Sequence, residues 1–412
     1  MRVGIILIFC LLVFLLACIS ISTEKKDIVE QERLEPVFAI GLQSCGMLDS
    51  PNTVYYLMQD VRSDDVCFTI SHKNITLDCE GHTVEFGSIG VRTLRFVTDA
   101  TIMNCKLKNK KNDYHPIMDE GSGIYIFEGS RIKVINVTVE AVHYGIYIVY
   151  SSDNEFMNNK IISKGREGMP VYISYSRNNL FVNNIIAGIS GVFLESSNYN
   201  SFVNNTIFED GAGGIPPKGG VYLMNSSFNN FTYNKIGGGS RAMGRGVTLN
   251  EGSCNNVFKK NTIIGRSAFT EGYGVMIYSS HNNTFVDNKI EVSGRDEAWM
   301  AYVNINSTNN VFSRNSFTSP IVLGIIKNGC SGIITVCEEP LCKYCREYGI
   351  IIWIFPILGS IIAAFISEGK LMRFLMFLIP MAGWAVMYPI YGFVLSLIEI
   401  FLILLKKRAK AT

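Results

Sequence analysis

One pattern dominates the chain. SSHNNTFVDNKI at 279–290 returns as SSDNEFMNNKI at 151–161, NYNSFVNNTI at 198–207, SSFNNFTYNKI at 226–236 and CNNVFKKNTI at 254–263. Aligned on the second asparagine of each unit, Asn159, Asn184, Asn205, Asn234, Asn261, Asn288 and Asn315 share one slot, at intervals of 25, 21, 29, 27, 27 and 27 residues. Read backwards, the slot falls on Asn136, Asn104 and Asp78, which gives about ten units. Upstream in each unit stands a short apolar segment led by glycine: GIYI at 123–126 and 145–148, GVFL at 191–194, GVYL at 220–223, GVTL at 246–249 and GVMI at 274–277. Short alternating segments at this period, without helical periodicity, predict an all-β solenoid. One unit is too small to close a core, so successive coils must stack.

The order within a coil follows from the motif. Strand one is G-[VI]-x-[LI], a bend falls at Ser-Ser, strand two carries N-x-F, and strand three carries the final Ile. Stacking at about 4.8 Å per coil turns Val, Ile, Leu and Phe into interior columns. The asparagine sits at the bend between strands two and three, where its amide can bond the backbone groups a turn leaves unpaired and the asparagine of the next coil. The asparagines are therefore structural rather than catalytic.

These G-V-x-L…N-N-x-F-x-x-N-x-I units, with ITLDCEGHTVEF at 75–86 as an opening segment, resemble the right-handed parallel β-helix superfamily of pectin-lyase-like proteins. The nearest likeness is its NosD-type, carbohydrate-binding and sugar-hydrolase branch. The resemblance covers about 40–325 and implies the fold, a right-handed parallel β-helix of about ten coils. For function it implies a class of possibilities, because the fold hosts lyases, hydrolases, epimerases, copper-delivery factors and adhesins.

The ends divide the chain further. Residues 1–22 pair one Arg with a long apolar run, the layout of a signal peptide or an N-terminal anchor, and Leu15-Leu16-Ala17-Cys18 resembles a lipobox. A charged linker follows at 23–39, then the β-helix at 40–325 and a Cys-rich neck at 326–347. The apolar blocks within 348–405 are long enough for two or three transmembrane helices, with Lys370, Arg373 and the basic tail at 406–412 on the cytoplasmic side. The expected location is the cell membrane, with the β-helix extracytoplasmic. A net charge of +2 gives no reason to expect a nucleic-acid partner.

Two of the eleven cysteines, Cys10 and Cys18, belong to the leader. Cys79 and Cys105 follow the same slot one coil apart and suit a disulfide, Cys45 and Cys67 flank the opening segment, and Cys254 is the expected unpaired thiol. Cys330, Cys337, Cys342 and Cys345 allow two disulfides or a tetrathiolate zinc site; disulfides suit an oxidising compartment better, so no metal is expected. Seven N-x-[ST] sequons, at Asn74, Asn136, Asn204, Asn225, Asn230, Asn282 and Asn306, permit glycosylation.

Unit length varies almost entirely between strand three of one coil and strand one of the next. Those insertions, 108–122, 163–170, 208–219, 237–245, 265–273 and 292–301, project from one side of the solenoid, the expected binding side. Tyr114, Arg166, Arg241, Arg245, Arg266, Tyr273, Arg295 and Trp299 are the candidate ligand-binding residues, since aromatic faces stack on sugar rings while Arg bonds hydroxyls or acidic groups. Asp113, His115, Asp119 and Glu120, with His143 one coil on, form the best candidate acid and base cluster of a polysaccharide-processing enzyme. Copper delivery ranks last: there are five His and no H-x-H pair, and Met372, Met376, Met381 and Met387 lie in apolar segments. The sequence thus favours a glycan or surface polymer as partner, or a structural role, and calls for no cofactor.

Overall fold

The computed structural model describes residues 38–110, 121–165, 168–211, 219–240, 243–304, 306–319, 324–328 and 335–337. Every regular element among them is a strand, and every strand pair is parallel. The strands form three sheets of 12, 13 and 11 members, built from strands one, two and three of successive coils. Strand two runs through Glu155–Met157, Leu180–Val182, Ser201–Val203 and Asn230–Thr232, always in the register Phe156↔Phe181↔Phe202↔Phe231.

Hydrophobic columns hold this solenoid together. Phe156, Phe181, Phe202, Phe231, Phe258, Phe285 and Phe312 are buried and stack with centroids 4.3 to 4.8 Å apart. Ile161, Ile186, Ile207, Ile236, Ile263 and Ile290 form a second buried column on strand three. Each such side chain contributes about 1.5–3 kcal/mol on leaving water.

Polar ladders fix the corners. Between strands two and three, the backbone N–H of each asparagine from Asn159 to Asn288 donates to Oδ1 of the next, at 2.8 to 2.9 Å, ending on Asn315. Between strands one and two stand two more buried columns: Ser151, Ser176, Ser197, Ser226, Ser253, Ser280 and Ser307, and Asn154, Asn179, Asn200, Asn229, Asn256, Asn283 and Asn310. Each coil also carries left-handed residues, Tyr150, Asp153 and Asn158 in one turn with φ of 50°, 59° and 58°. Aromatic and charged residues pay about 1–2 kcal/mol for that conformation, and the ladders on either side hold them in it.

The backward extension of the asparagine slot needs a correction of one residue. Asn104 and Asn136 stack on Asn158, the exposed left-handed position, and not on Asn159; their amides form an outer chain, Asn136 to Asn104 at 2.8 Å and Asn104 to Asp78 at 3.0 Å. The internal slot in those coils holds Cys105 and Val137. Cys79 and Cys105 form a disulfide in this region and Cys45 and Cys67 another, with Cα atoms 4.8 and 4.7 Å apart, so the coils that lack the asparagine ladder carry covalent staples. Cys254 is a free thiol.

The first strand, Phe38–Leu42, begins inside the segment read as a linker, and Gly324–Asn328 and Thr335–Cys337 continue the parallel pairing past 325. The segments 1–22 and 348–405, the basic tail, and Cys330, Cys342 and Cys345 lie outside the described residues, among which no helix is long and apolar enough to cross a membrane.

Candidate functional site

The glycine that opens each strand one has a steric cause. A Cβ on Gly145, Gly191, Gly220, Gly246 or Gly274 would fall 2.2 to 2.9 Å from Cγ2 of Ile161, Ile207, Ile236, Ile263 or Ile290, the residue that ends the same coil. Strand one therefore bends inward there, and the coil closes on its own isoleucine.

Before that bend the later coils differ from the expected irregular loops. Residues 237–245, 265–273 and 292–301 are mostly lengthened strands, Lys235–Ser240, Thr262–Ser267 and Lys289–Ser293 on one layer and Gly244–Asn250, Glu271–Ile277 and Glu297–Val303 on the other. Glycines let the layers touch: a Cβ on Gly238 would lie 1.6 Å from the Arg245 carbonyl, and one on Gly265 1.9 Å from that of Tyr273. The insertions thus form a thin two-layer flange in register with the solenoid.

The bend makes a trough. On one side lies the outer face of strand one, where Tyr125, Tyr147, Tyr172, Phe193 and Tyr222 follow each other at 4.9 to 5.2 Å. On the other lies the flange column, in which Arg245, Tyr273 and Trp299 are register partners. Ring contacts cross the bend, Tyr144 to Tyr147 at 4.7 Å and Tyr273 to Tyr302 at 6.0 Å, which places the two columns face to face.

Stacking decides where the trough can hold a ligand. Tyr147, Tyr172 and Phe193 are nearly parallel, with interplanar angles of 3° and 4°, so their faces are covered by one another. The stack breaks at Tyr222, which meets Phe193 at 68°; Thr248 and Met276 follow in the column, and Tyr302, the next ring on it, meets Tyr273 of the flange column at 78°. There the rings turn edge to face, opposite Arg245 and Trp299. Trp299 donates its indole N–H to Glu297 at 2.7 Å, Tyr273 donates to Glu271, and the Asn250 amide donates to the Tyr222 hydroxyl at 3.0 Å. Those partners hold the rings in place.

Titratable groups nearby are perturbed. Burial, and then Glu195, which accepts its hydroxyl, hold Tyr172 well above the phenol range; burial raises Tyr222 as well. Glu209, on strand Thr206–Gly211, is buried with both carboxyl oxygens unbonded, and burial pushes it up to about 9 against the pull of Arg245. At neutral pH it is a protonated acid beneath the flange.

The other sequence candidates are scattered. Asp113, Tyr114, His115, Asp119, Glu120, Arg166 and Arg241 lie outside the described residues. His143 is buried, with its ring stacked on Tyr144 at 4.1 Å. Arg266 leaves the trough and pairs with Glu291 at 3.6 Å, while Arg295 is exposed at the flange tip. All seven sequon asparagines are exposed, whereas the ladder asparagines Asn159 to Asn288 are buried. Sequence reasoning passed over Glu195, Glu209, Tyr222 and Tyr302; the aromatic x of G-[VI]-x-[LI] was the available signal for the outer column. No group of three or more His, Cys, Asp or Glu among the described residues could hold a metal ion.

Comparison with known proteins agrees with this geometry. The family described as "Right handed beta helix region" matches residues 58–215 and 122–290, together more than half of the chain. The chain belongs to the right-handed β-helix family. Among curated proteins, none matches this β-helix by sequence. Among solved structures, it is similar to DFA-IIIase from Arthrobacter chlorophenolicus A6 in complex with GF2, at 10% identity and a TM-score of 0.48 over 73% of this chain and 91% of that one. The periplasmic alginate epimerase AlgG gives 13% identity and a TM-score of 0.49 over 76% of this chain and 81% of that one. The Dettilon tailspike protein gives 12% identity and a TM-score of 0.45, covering 69% of this chain and 61% of that one.

Proposed function

We propose that this β-helix binds a glycan or surface polysaccharide along the trough, at its flanged end. The observation that carries this reading is Arg245 and Trp299, the register partners of the buried Tyr273, standing opposite Tyr222 and Tyr302 where the aromatic stack breaks. An open ring face offers an apolar platform for the C–H face of a sugar, and Arg245 a donor for hydroxyl or carboxylate groups. Coils repeat along the trough at about 4.8 Å, so an extended polymer meets an equivalent register at each step.

A second reading, a polysaccharide-processing enzyme, is favoured by Glu209. A carboxylic acid that stays protonated at neutral pH is what a general acid requires, and it would need a partner carboxylate about 5–9.5 Å away across the sugar. Anchoring at a membrane with the solenoid outside the cytoplasm fits the apolar segments within 348–405 and the two disulfides. Alkylation of Cys254 by a membrane-impermeant reagent in intact cells tests that placement; a thiol reached only after lysis places the solenoid inside.

The test of the main reading is a polysaccharide panel offered to the full chain and scored for binding and for new reducing ends. Binding that Trp299→Ala removes while the unfolding curve is kept supports the trough. Binding unaffected by Trp299→Ala and Arg245→Ala places the ligand elsewhere, and new reducing ends that vanish in Glu209→Gln favour the enzyme.

A further inference from the structure

At the corner after strand one, successive coils place Tyr150, Tyr175, Ser196 and Asn225 in one outward column, with φ of 50°, 47°, 48° and 48°. Phe127 meets Tyr150 edge-on at 6.2 Å, and Tyr150 and Tyr175 stack at 5.1 Å and 18°. The aromatic column then stops. Ser196 is too small to cover the second face of Tyr175, and a cleft of about 250 Å³ runs along three coils from Tyr150 past Tyr175 to this gap, lined also by Ser152, Arg177, Ser196 and Asn198. Tyr150 and Tyr175 are 55% and 54% exposed, so this ring surface is open to a ligand.

The polar lining is partly uncommitted. Arg177 lies in register between Ser152 and Asn198, is exposed, and makes no ion pair with any described residue. Of the two carboxylates next to this face in sequence, Asp153 accepts from Ser152 at 2.7 Å and from Asn178 at 3.2 Å, and Glu195 accepts from Tyr172 and from Ser174 at 3.3 Å. Asn198 uses its Oδ1 to accept the Ser227 N–H at 2.7 Å, and its side-chain amide is half-buried at the cleft wall. Ser196 accepts from Asn225 at 3.1 Å and keeps its own proton to donate.

We propose that this cleft is a second binding site, for a single acidic pyranose whose ring takes the place of the missing aromatic rung on Tyr175 and whose carboxylate pairs with Arg177. A volume of about 250 Å³ is below the usual range for drug-sized ligands, about 300–1,000 Å³, and suits one sugar ring rather than a chain. Arg takes a carboxylate in a two-pronged bond, and the hydroxyl and amide groups around it match ring hydroxyls. The site is on the corner, not in the trough, and does not depend on what the trough binds.

The test titrates the full chain with galacturonate, glucuronate, galactose and benzoate, followed by saturation-transfer NMR. Variants are Tyr175→Ala, Arg177→Gln, Ser196→Tyr and Lys259→Ala. Ser196→Tyr should fold, because Tyr150 and Tyr175 already occupy the same backbone conformation one and two coils away. The expected result is uronate binding with a Kd of about 1–10 mM. Arg177→Gln weakens it about tenfold, which is about 1.4 kcal/mol; Ser196→Tyr and Tyr175→Ala abolish it, and Lys259→Ala, at an exposed site away from the cleft, leaves it unchanged. No uronate binding at 50-fold above about 1 mM, or binding that survives Ser196→Tyr, overturns the proposal. Benzoate binding more tightly than either uronate overturns the assignment to a sugar.

Discussion

Asn204 and Asn205 are adjacent residues of one type with opposite surroundings, and they isolate what the internal ladder contributes. Asn205 is buried; its Oδ1 accepts from the backbone N–H of Asn184 at 2.8 Å and from that residue's amide at 2.9 Å. Its own amide donates to the Phe181 carbonyl at 2.9 Å and to Asn234 at 3.0 Å. Asn205→Ala leaves the Asn184 N–H and the Phe181 carbonyl without partners inside the coil. Each orphaned buried group costs about 1–3 kcal/mol, so the loss should be about 2–6 kcal/mol. Asn204 is exposed and makes one side-chain bond, to Asn183 at 2.8 Å, at φ 55°. Asn204→Ala should cost about 1 kcal/mol, mainly because alanine accepts the left-handed conformation less readily. Urea unfolding of the full chain, followed by far-ultraviolet circular dichroism, measures both. Losses within about 0.5 kcal/mol of each other, the scale of a surface substitution, would refute the ladder argument.

Other expectations follow from the same structure. Glu209 is protonated in the folded chain and ionised in the unfolded chain between pH of about 4.5 and about 9, so it carries no ionisation penalty below that window and a growing one as pH rises through it. At pH 7 the cost is about 3 kcal/mol, and Glu209→Gln should raise neutral-pH stability by up to that amount and flatten the pH dependence of thermal unfolding. Gly246→Ala sets a Cβ 2.5 Å from Ile263 and 2.6 Å from the Gly274 carbonyl; calorimetry should register a loss of about 1–3 kcal/mol, typical of overpacking. Replacing Cys79 and Cys105 by serine opens a loop of 26 residues and should lower stability by about 3 kcal/mol, with hydrogen exchange rising first in the coils before Thr138.

The solenoid was legible because its physics is periodic. Phe285 and Ile290 repeat at coil spacing, and any stacked coil must bury them; Cys79 and Cys105 were legible for the same reason, since stacking sets their distance, while Cys45 and Cys67 were read from their places on either side of the opening segment. The one-residue error at Asn104 and Asn136 has a physical source as well. A buried ladder position and an exposed left-handed position both favour asparagine, so an Asn-Asn pair does not announce which member turns inward. The flange was misread because Gly237, Gly238 and Gly239 suggest a loose loop, while here the missing side chains let two strands pack backbone to backbone. The outer aromatic column lay in the variable x of the motif, and a residue on an outer face reveals neither the angle at which a stack breaks nor the partner it meets. Glu209 was passed over because nothing in FEDG at 208–211 tells which side chains face inward, and the structure shows it to be buried.

The central claim, that the flanged end of the trough holds a glycan, is tested most directly at Trp299. Trp353 and Trp384 lie in the apolar segments, so the difference between the chain and its Trp299→Phe form isolates the emission of Trp299. On titration with polysaccharides, a saturable shift in that difference signal, abolished by Tyr302→Ala and Arg245→Ala, is the result expected. Retention of the chain on a polysaccharide with no change in Trp299 emission would contradict it.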